Sequence, residues 1–437
     1  MTLIDLDLPV RKRGRLDGLP VAIIGAGPIG LAAGAHLLER GIDFVIYERG
    51  DRVAASIVSW GHTRLFSPWS LLVDEAARRT LADTGWVEPD PDQLPTGAEL
   101  VRDYLEPLAA VDEIAARIRY DTSVVAVSRE GMDRTRSTGR EDTPFLLRLD
   151  SSAGIQDVTA AAVIDASGTY DNPNRLGSSG LDPLGATAVQ DRVSRALPDV
   201  LGRDKARFAG RHTLVVGAGH SAANTLIALV RLRAMEPDTR ITWAIRNSSA
   251  VRVSSSETDE LPARATLGGA VDQHVADGAI QKIDRFEIAS LVNEGDQVVV
   301  SGRRAGESTS ITVDTIVNAT GCRPDLEMLR ELRLSLDEVV EAPRLLAPLI
   351  DPNVHSCGTV SPHGFLELQH PEPRFFIAGM KSYGRAPTFL LATGYEQVRS
   401  ITSWLAGDLE AAKRVQLVLP ATGVCSTDIS PGGACCS

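Results

Sequence analysis

The stretch Val21-Ala22-Ile23-Ile24-Gly25-Ala26-Gly27-Pro28-Ile29-Gly30, close to the start of the chain, decides the fold. Its four leading apolar residues predict a buried parallel strand, and its glycines predict a tight turn that opens a helix over 29–40. Gly25 permits the turn, Gly27 lets the backbone approach a pyrophosphate, and Gly30 lets the helix pack closely on the strand. The exposed amides and the helix dipole then favour phosphate binding at this turn.

A second strand and an acidic residue follow in the order that a dinucleotide site requires. Residues 42–47, apolar except for Asp43, lead to Glu48, whose carboxylate can accept both ribose hydroxyls of an adenosine. Pro28 and Ile29 in the turn, and Arg49 beside the acid, are further candidates for nucleotide contacts. A glycine-rich turn alone is weak evidence, but strand, turn, helix, strand and acid in this order make chance unlikely. We therefore predict a dinucleotide site, and its position ahead of a second such pattern indicates FAD.

The second pattern is Thr213-Leu214-Val215-Val216-Gly217-Ala218-Gly219-His220-Ser221-Ala222-Ala223-Asn224. Gly217 and Gly219 form the predicted turn, and an alanine replaces the third glycine while still permitting close packing. His220 and Ser221 are candidates for contacts with a second pyrophosphate, although an ordinary helix-start position fits His220 nearly as well.

The residue that ends the following strand differs between the two patterns. The strand over 241–245 leads to Arg246, where the first pattern has Glu48. An acid would repel a 2′-phosphate, whereas a guanidinium can bind one, so the second site is predicted to prefer NADPH to NADH. The competing interpretation is an ordinary surface arginine at a strand end.

Two more apolar strands end in small residues, at Val163-Ile164-Asp165-Ala166-Ser167-Gly168 and Ile316-Val317-Asn318-Ala319-Thr320-Gly321. Small residues let the backbone pass close to a nucleotide. We expect Ala166, Ser167 and Gly168 to lie at the first nucleotide, and Thr320 and Gly321 at the second.

These positions predict an α/β fold with two Rossmann-like dinucleotide-binding domains, the NADPH domain being inserted into the FAD domain. The predicted parts are a lead-in over 1–20, the FAD domain over 21–190 and 322–410, the NADPH domain over 191–321, and a flexible tail over 411–437. Helices are expected over 71–84, 97–116 and 388–405, one strand over 118–127, a hairpin turn or mobile loop over 131–142, and a small antiparallel layer from 145–150 and 155–160.

Composition limits the class of protein. The chain has 437 residues, 43% of them hydrophobic, and a formal net charge of −12. Neither an apolar run long enough for a bilayer span nor a secretory signal is recognisable. The acidic balance argues against nucleic-acid and membrane partners. Five sparse cysteines without a signal indicate a reducing, cytoplasmic setting.

With both fingerprints, the strand ending in Ala319-Thr320-Gly321 and the strand Pro373-Arg374-Phe375-Phe376-Ile377-Ala378-Gly379, the chain resembles the two-dinucleotide-binding-domain flavoproteins from Val21 to Gly407. This superfamily includes flavin-containing, Baeyer-Villiger and N-hydroxylating monooxygenases and thioredoxin-reductase-like disulfide reductases. The reductases need a redox cysteine pair near the flavin, and no cysteine precedes Cys322. The phenylalanine-glycine-histidine signature of the Baeyer-Villiger and N-hydroxylating groups is only partly matched by Phe208-Ala209-Gly210-Arg211-His212.

The resemblance implies further contacts with the flavin. Residues 52–69 would return the chain towards the flavin ring, with Trp60 and Ser67 as candidates for its wall; a loop packed by its own tryptophans is the alternative. The strand over 118–127 would supply backbone contacts to adenine, with Val125 as the candidate. Gly379 would lie at the flavin, but many relatives place an aspartate after this glycine for the ribityl chain, and here the residue is Met380.

A narrower resemblance is to the flavin-binding monooxygenase-like proteins of arsenic-resistance operons. It depends on Trp60-Gly61-His62 with Arg64-Leu65-Phe66-Ser67-Pro68-Trp69, on Gly219-His220-Ser221-Ala222-Ala223-Asn224, and on a cysteine-bearing tail. Cys425, Cys435 and Cys436 are candidate ligands for one thiophilic ion such as trivalent arsenic. The vicinal pair also resembles the C-terminal tail of mercuric reductases, which hands metal towards the flavin. Two alternatives stay open for the tail: an incidental chain end, or a thiol relay that takes electrons from the flavin.

The leading hypothesis is an FAD-dependent, NADPH-oxidising monooxygenase that uses dioxygen and a small soft nucleophile, with a trivalent arsenical as the candidate substrate and a homodimer as a compatible assembly. No catalytic residue is assigned. The alternatives are an NADPH-dependent reductase that relays electrons through the tail thiols to a disulfide or metal, and a metalloid-binding flavoprotein with little turnover.

Overall fold

The computed structural model describes residues 14–248, 262–351, 362–387 and 389–417. Sixteen strands are present in these ranges, and they are β1 Val21–Ile24, β2 Phe44–Tyr47, β3 Ile118–Arg119, β4 Thr122–Arg129, β5 Phe145–Ser151, β6 Gly154–Ala160, β7 Ala162–Asp165, β8 Val193–Arg195, β9 His212–Val216, β10 Arg240–Ala244, β11 Gln281–Ile283, β12 Phe286–Glu294, β13 Gln297–Arg304, β14 Glu307–Val313, β15 Thr315–Asn318 and β16 Phe375–Ile377. The α-helices in the same ranges are α1 Pro28–Glu39, α2 Ala55–Ser59, α3 Glu75–Leu81, α4 Gly97–Leu100, α5 Glu106–Ala109, α6 Asp112–Ala115, α7 Lys205–Phe208, α8 His220–Met235, α9 Pro262–Ala276, α10 Ala347–Ile350, α11 Leu391–Leu405 and α12 Leu409–Lys413.

Two parallel five-stranded sheets organise the chain, and four strands of each share one order, β7-β1-β2-β3 matching β15-β9-β10-β11, whereas the fifth strand comes last in the chain in the first sheet (β16) and before the fingerprint strand in the second (β8). The first has the order β16-β7-β1-β2-β3 and the second the order β11-β10-β9-β15-β8. In each sheet the strand of a glycine fingerprint, β1 or β9, lies at the centre and is followed by a helix. The predicted α/β fold with two Rossmann-like units, the second inserted between β7 and β16 of the first, is therefore confirmed.

A three-stranded antiparallel layer interrupts each unit at the same point. β4, β5 and β6 form the layer of the first unit, between β3 and β7, and β12, β13 and β14 form that of the second, between β11 and β15. Each layer packs on one face of its parallel sheet through buried aliphatic and aromatic side chains. The loops after β1 and β7 in the first unit therefore correspond to the loops after β9 and β15 in the second.

Several element boundaries differ from those expected. Residues 118–127 form two strands, because the backbone turns at Asp121, where φ is +49°, and joins β4 to the antiparallel layer. The helix expected over 97–116 is divided into α4, a π-helical segment Val101–Leu105, α5 and α6. The segment 131–142, expected to be a hairpin turn or mobile loop, lies in the hairpin connection between the antiparallel strands β4 and β5, and the buried Arg140 anchors it. Its guanidinium pairs with the buried Glu372 at 2.8 Å.

Two adjacent segments connect the units, one leaving the first unit after β7 and the other returning after β15. Asn174 donates its backbone N–H to the Gly321 carbonyl at 2.9 Å, and its side chain donates to the Thr320 carbonyl at 3.0 Å. Leu176 and Val189, which follow the outgoing segment, are buried in the core beneath the second sheet. In the ranges that the structure describes, none of the helices is both long and apolar enough to cross a bilayer.

Candidate functional site

Three loops of the first unit meet at one edge of its sheet. They follow β1, β7 and β16, which are adjacent and parallel, so their carboxyl ends lie side by side. This edge carries the fingerprint glycines, the turn Ala166-Ser167-Gly168, and Gly379. A Cβ built on Gly379 would lie 2.9 Å from Ile29 at the start of α1, so these loops are in direct contact.

Different structural constraints favour glycine at the three fingerprint positions of the first unit. Gly25 has a φ of +99°, and a Cβ there would lie 2.9 Å from the Ala166 carbonyl oxygen. A Cβ on Gly30 would lie 1.9 Å from the Gly25 carbonyl oxygen, so helix and strand could not pack. Gly27 precedes α1 with a φ of −82°, and no described protein atom lies within 4 Å of a Cβ built there. Protein packing explains Gly25 and Gly30, whereas open space in front of Gly27 suits a ligand.

Glu48 lies at the end of β2 and is half-buried. Its Oε2 accepts the Ala26 N–H and its Oε1 accepts the Gly50 N–H, both at 2.7 Å. These bonds fix the carboxylate beside the glycine turn, and each oxygen keeps a further lone pair that a ribose hydroxyl can use. Arg49 points instead to Asp171 in the segment that leads to the second unit.

The other candidates of the first unit, Trp60, Ser67 and Val125, differ in their burial and contacts. Trp60 packs on Gly97, where a Cβ would lie 2.7 Å from the indole, and Ser67 is buried. Val125 is 44% exposed and lies at a register shift of the antiparallel layer, between Val124 and Ala126. On the same strand as Val125, the residue whose backbone contacts Glu48 is Thr122, whose N–H donates to the Glu48 carbonyl at 2.9 Å.

The second unit repeats this arrangement around β9. Gly217 has a φ of +135°, and a Cβ there would lie 2.1 Å from the Ala319 carbonyl oxygen. Gly219 has a φ of −106°, and a Cβ there would meet no described protein atom within 4 Å. Trp243 on β10 holds the turn by donating its indole N–H to the Gly217 carbonyl at 2.7 Å. His220 and Ser221 begin α8, and Arg246 is exposed just after β10.

The turns after β7 and β15 are held in the same way. Asp165 Oδ1 accepts the Ser167 hydroxyl at 2.6 Å and the Ser167 N–H at 3.1 Å. Asn318 Oδ1 accepts the Thr320 hydroxyl at 2.6 Å and the Thr320 N–H at 3.3 Å. The two units therefore share one side-chain turn, built on an ionisable residue in the first and on a neutral one in the second.

Lys381 is the residue of this site that sequence reasoning missed. It follows Gly379 by two positions, is 2% exposed, and places Nζ 2.7 Å from Asp165 Oδ2 and 3.1 Å from Ser167 Oγ. The Asp165 contact is an ion pair without hydrogen-bond alignment, so Oδ2 has no directed donor among the described residues. The repeated pattern of two apolar residues, Asp or Asn, alanine and a hydroxyl residue marks Asp165 in the sequence. No local pattern connects it to Lys381.

Cys322 is the one cysteine in the described ranges, and it lies in the segment that returns to the first unit after β15. Burial raises the pKa of its thiol, which disfavours the reactive thiolate. The candidate ligands Cys425, Cys435 and Cys436 lie outside the described residues. Within the described ranges, no group of three or more His, Cys, Asp or Glu side chains could hold a metal ion.

Both glycine turns thus fit the phosphates of a dinucleotide, because each combines a glycine required by packing with a second glycine that faces open space. The N-caps of α1 and α8 are Gly27 and Gly219, which have no side chain to cap the helices. The positive dipole ends of both helices therefore lie beside the glycines that face open space.

Comparisons with known proteins agree with this architecture. The sequence profile of a family described as pyridine nucleotide-disulphide oxidoreductase matches residues 22–346. A curated relative, the flavin-containing monooxygenase FMO GS-OX-like 2 of Arabidopsis thaliana, is 24% identical over 228 residues, which are 47% of this chain and 45% of the relative. The chain thus matches about half the length of that relative.

Among solved structures, the bacillithiol disulfide reductase Bdr (YpdA) of Bacillus cereus is 20% identical with a TM-score of 0.66, covering 89% of this chain and 99% of its own. The cadaverine monooxygenase DfoA of Erwinia amylovora, solved with FAD bound, is 13% identical with a TM-score of 0.61, covering 92% of this chain and 98% of its own. At these identities the likeness establishes the fold, which both a reductase and a monooxygenase use.

Proposed function

This chain belongs to the pyridine nucleotide-disulphide oxidoreductase family, and on that premise we propose that it is an FAD-dependent, NADPH-oxidising monooxygenase. The observation that carries the proposal is the pair of glycine turns with open space at Gly27 and Gly219. The strand that follows the first turn ends at the acidic Glu48, whereas the strand that follows the second ends at the basic Arg246. Glu48 suits an unmodified ribose, whereas Arg246 suits a 2′-phosphate.

The residues of each turn have separate tasks in this proposal. In the first unit, the amides at the start of α1 bind the FAD pyrophosphate, and Glu48 binds the adenosine ribose. In the second unit, Gly219 and Ser221 bind the NADPH pyrophosphate, and Arg246 binds its 2′-phosphate. Bound FAD would supply the redox chemistry, taking a hydride from NADPH and delivering electrons to dioxygen so that one oxygen atom reaches the substrate.

A monooxygenase is favoured over a disulfide reductase by the cysteine positions. The first 321 residues contain no cysteine, and both glycine turns lie within them. A reductase of the usual kind would need two thiols near the flavin. The curated relative is named as a monooxygenase, which supports the same choice.

The first test is anaerobic addition of NADPH to the purified protein. Bleaching of the flavin absorbance is the expected result, and unchanged absorbance would contradict the proposal at its first step. NADPH oxidation under air should then be measured with and without arsenite and phenylarsine oxide, with peroxide and oxygenated product both quantified. Product formation that matches NADPH consumption would identify a trivalent arsenical as substrate, whereas peroxide alone would indicate an oxidase.

A relay through the tail thiols is the second candidate function. Gln416 donates its N–H to the Glu396 carboxylate at 3.3 Å, which holds the last described residues against the N-terminal half of α11. Helix α11 starts beside the first glycine turn, because a Cβ on Gly394 would lie 2.4 Å from Ile29. The chain is therefore anchored near the proposed flavin site before the three tail cysteines begin.

Replacing Cys425, Cys435 and Cys436 together with serine separates these functions. A monooxygenase should keep its NADPH and dioxygen consumption, whereas a relay should lose NADPH-dependent reduction of a disulfide or metal acceptor. Cys322→Ser is the matched control, since it removes a thiol that is not part of the tail. A third outcome, tight arsenite binding without stimulated NADPH oxidation, would indicate a metalloid carrier. A cytoplasmic setting and a homodimer are parts of the same proposal, the latter to be checked by sedimentation.

A further inference from the structure

Asp165 is a fully buried carboxylate at the edge of the first sheet where the FAD site is proposed. Its Oδ1 holds the Ser167 turn, and Ser167 is exposed beside Gly25, on the edge of the sheet where the crevice for FAD is proposed. A Cβ on Gly25 would lie 3.0 Å from the Ser167 Cα, so this turn and the glycine turn form one continuous floor. The negative charge of Asp165 beneath these two turns would repel a pyrophosphate, which is itself anionic.

The second unit holds the equivalent turn, at Thr320, without a charged residue. Asn318 holds the Thr320 turn with hydrogen-bond lengths close to those of Asp165 and Ser167, and its amide group donates to the Asn174 carbonyl at 2.9 Å. The turn therefore does not require an acid. The first unit adds an acid and then a buried lysine to compensate it, which a purely structural turn would not need.

We propose that Lys381 is a positioning residue for FAD, which neutralises Asp165 beneath the crevice and fixes the Ser167 turn against the glycine turn. The ammonium group contacts both partners, at 2.7 Å from Asp165 and 3.1 Å from Ser167, so the three side chains form one unit. Lys381 reaches this position because the short helix Gly379–Tyr383 directly follows β16, next to β7 in the sheet. The inference rests on the proposed FAD site.

Charge compensation at this position has two measurable consequences. Without Lys381, the uncompensated Asp165 should weaken the binding of anionic FAD and should disfavour the additional negative charge of the reduced flavin. The reduction potential of the bound flavin should therefore become more negative. A lysine that only filled space would leave the potential unchanged.

The test is a double-mutant cycle with Lys381→Met, Asp165→Asn and the combination of both, which reproduces the neutral arrangement of the second unit. The dissociation constant for FAD is measured by flavin fluorescence on the apoproteins, and the potential by equilibration with reference dyes. Lys381→Met should weaken FAD binding at least tenfold and shift the potential negative, and the combined variant should return to within about threefold of wild-type affinity. Asp165→Asn should shift the potential in the positive direction.

Wild-type affinity and potential in Lys381→Met would overturn the inference. So would a combined variant that binds FAD as weakly as Lys381→Met alone, since the lysine would then act independently of Asp165. If Lys381→Met does not fold, Asp165→Asn decides, because an unchanged or more negative potential contradicts the proposal.

Glu372→Gln is the matched control, since it breaks another fully buried ion pair of the same unit and should lower stability without moving the potential. Wild-type protein that takes up no FAD would instead contradict the proposed function.

Discussion

The Phe66 ring lies against the imidazole of His220, with 5.4 Å between the ring centroids and 45° between the ring planes. Phe66 belongs to the segment that follows Glu48 in the first unit, and His220 begins α8 in the second unit. An aromatic contact therefore links the segment after β2 of the first unit to the start of α8, beside the glycine turn of the second unit.

Replacing Phe66 should slow the transfer of electrons between the two nucleotides. Aromatic pairs contribute roughly 0.5–1.5 kcal/mol beyond their buried area, so Phe66→Ala should reduce the rate of flavin reduction by NADPH about two- to tenfold. Stopped-flow absorbance measures this rate. Phe66→Tyr keeps the ring and should retain most of it; equal rates in all three proteins would show that the contact is unimportant for reduction.

Alanine at Gly27 or Gly219 should weaken the binding of one nucleotide without unfolding the chain. Both residues have φ values that alanine tolerates, −82° and −106°, and open space at the Cβ position. Gly27→Ala should weaken FAD binding at least tenfold and Gly219→Ala should weaken NADPH binding similarly, because the methyl group occupies the space of a phosphate. Gly269→Ala in α9 also has open space and should bind both nucleotides normally. Normal binding in the first two variants would refute the assignment of the turns.

Arg246→Ala should reduce the preference for NADPH over NADH. A hydrogen bond to a charged group contributes about 1.5–3 kcal/mol, so the KM for NADPH should rise roughly 10- to 100-fold while that for NADH stays nearly constant. Arg240→Ala is the matched control, because Arg240 begins the same strand β10 and is also exposed. An equal rise for both nucleotides would argue against contact with the 2′-phosphate.

Glu372→Gln should lower the free energy of unfolding by about 3–5 kcal/mol. Glu372 pairs with Arg129 at 2.7 Å and with Arg140 at 2.8 Å, all three side chains being almost inaccessible, so the variant leaves two buried guanidinium groups uncompensated. Urea unfolding measures the change. In the exposed pair with Arg330, Glu327→Gln should cost less than about 1 kcal/mol. Similar costs for the two variants would contradict this account of burial.

Stability should fall in mild acid through His370. Burial lowers the pKa of its imidazole to about 4, against 6.5 for an unperturbed histidine. The unfolded state therefore binds a proton that the folded state does not, so the free energy of unfolding should decrease as pH falls from about 6.5 to about 4, by about 3 kcal/mol at most. His212, whose pKa burial also lowers, acts in the same direction. His370→Gln should flatten the pH profile of urea unfolding, and an unchanged slope would show that His370 does not contribute.

The sequence by itself determined the two nucleotide-binding units and their order. Each depends on local signals: an apolar strand, glycines that a turn or close packing requires, a helix, and a charged residue at the end of the next strand. Gly25, Gly30 and Gly217 illustrate why this works, because backbone conformation and contacts within a few residues already exclude a side chain at Gly30 and strain one at the other two. The antiparallel strands expected over 145–150 and 155–160 are present as β5 and β6, and buried and exposed side chains alternate along most of β5.

Only the tertiary structure decided which distant residues share a site. Lys381 and Asp165 are 216 positions apart and meet because β16 pairs with β7 after the whole second unit has intervened. Glu372 meets Arg129 and Arg140 across the same boundary, and this contact anchors the hairpin segment 131–142, for which the sequence left a mobile loop open as the alternative. Such pairs leave no periodic pattern in the chain, because their spacing is set by the sheet order and by the size of the insertion. Burial then gives their charges an energetic weight that composition cannot reveal.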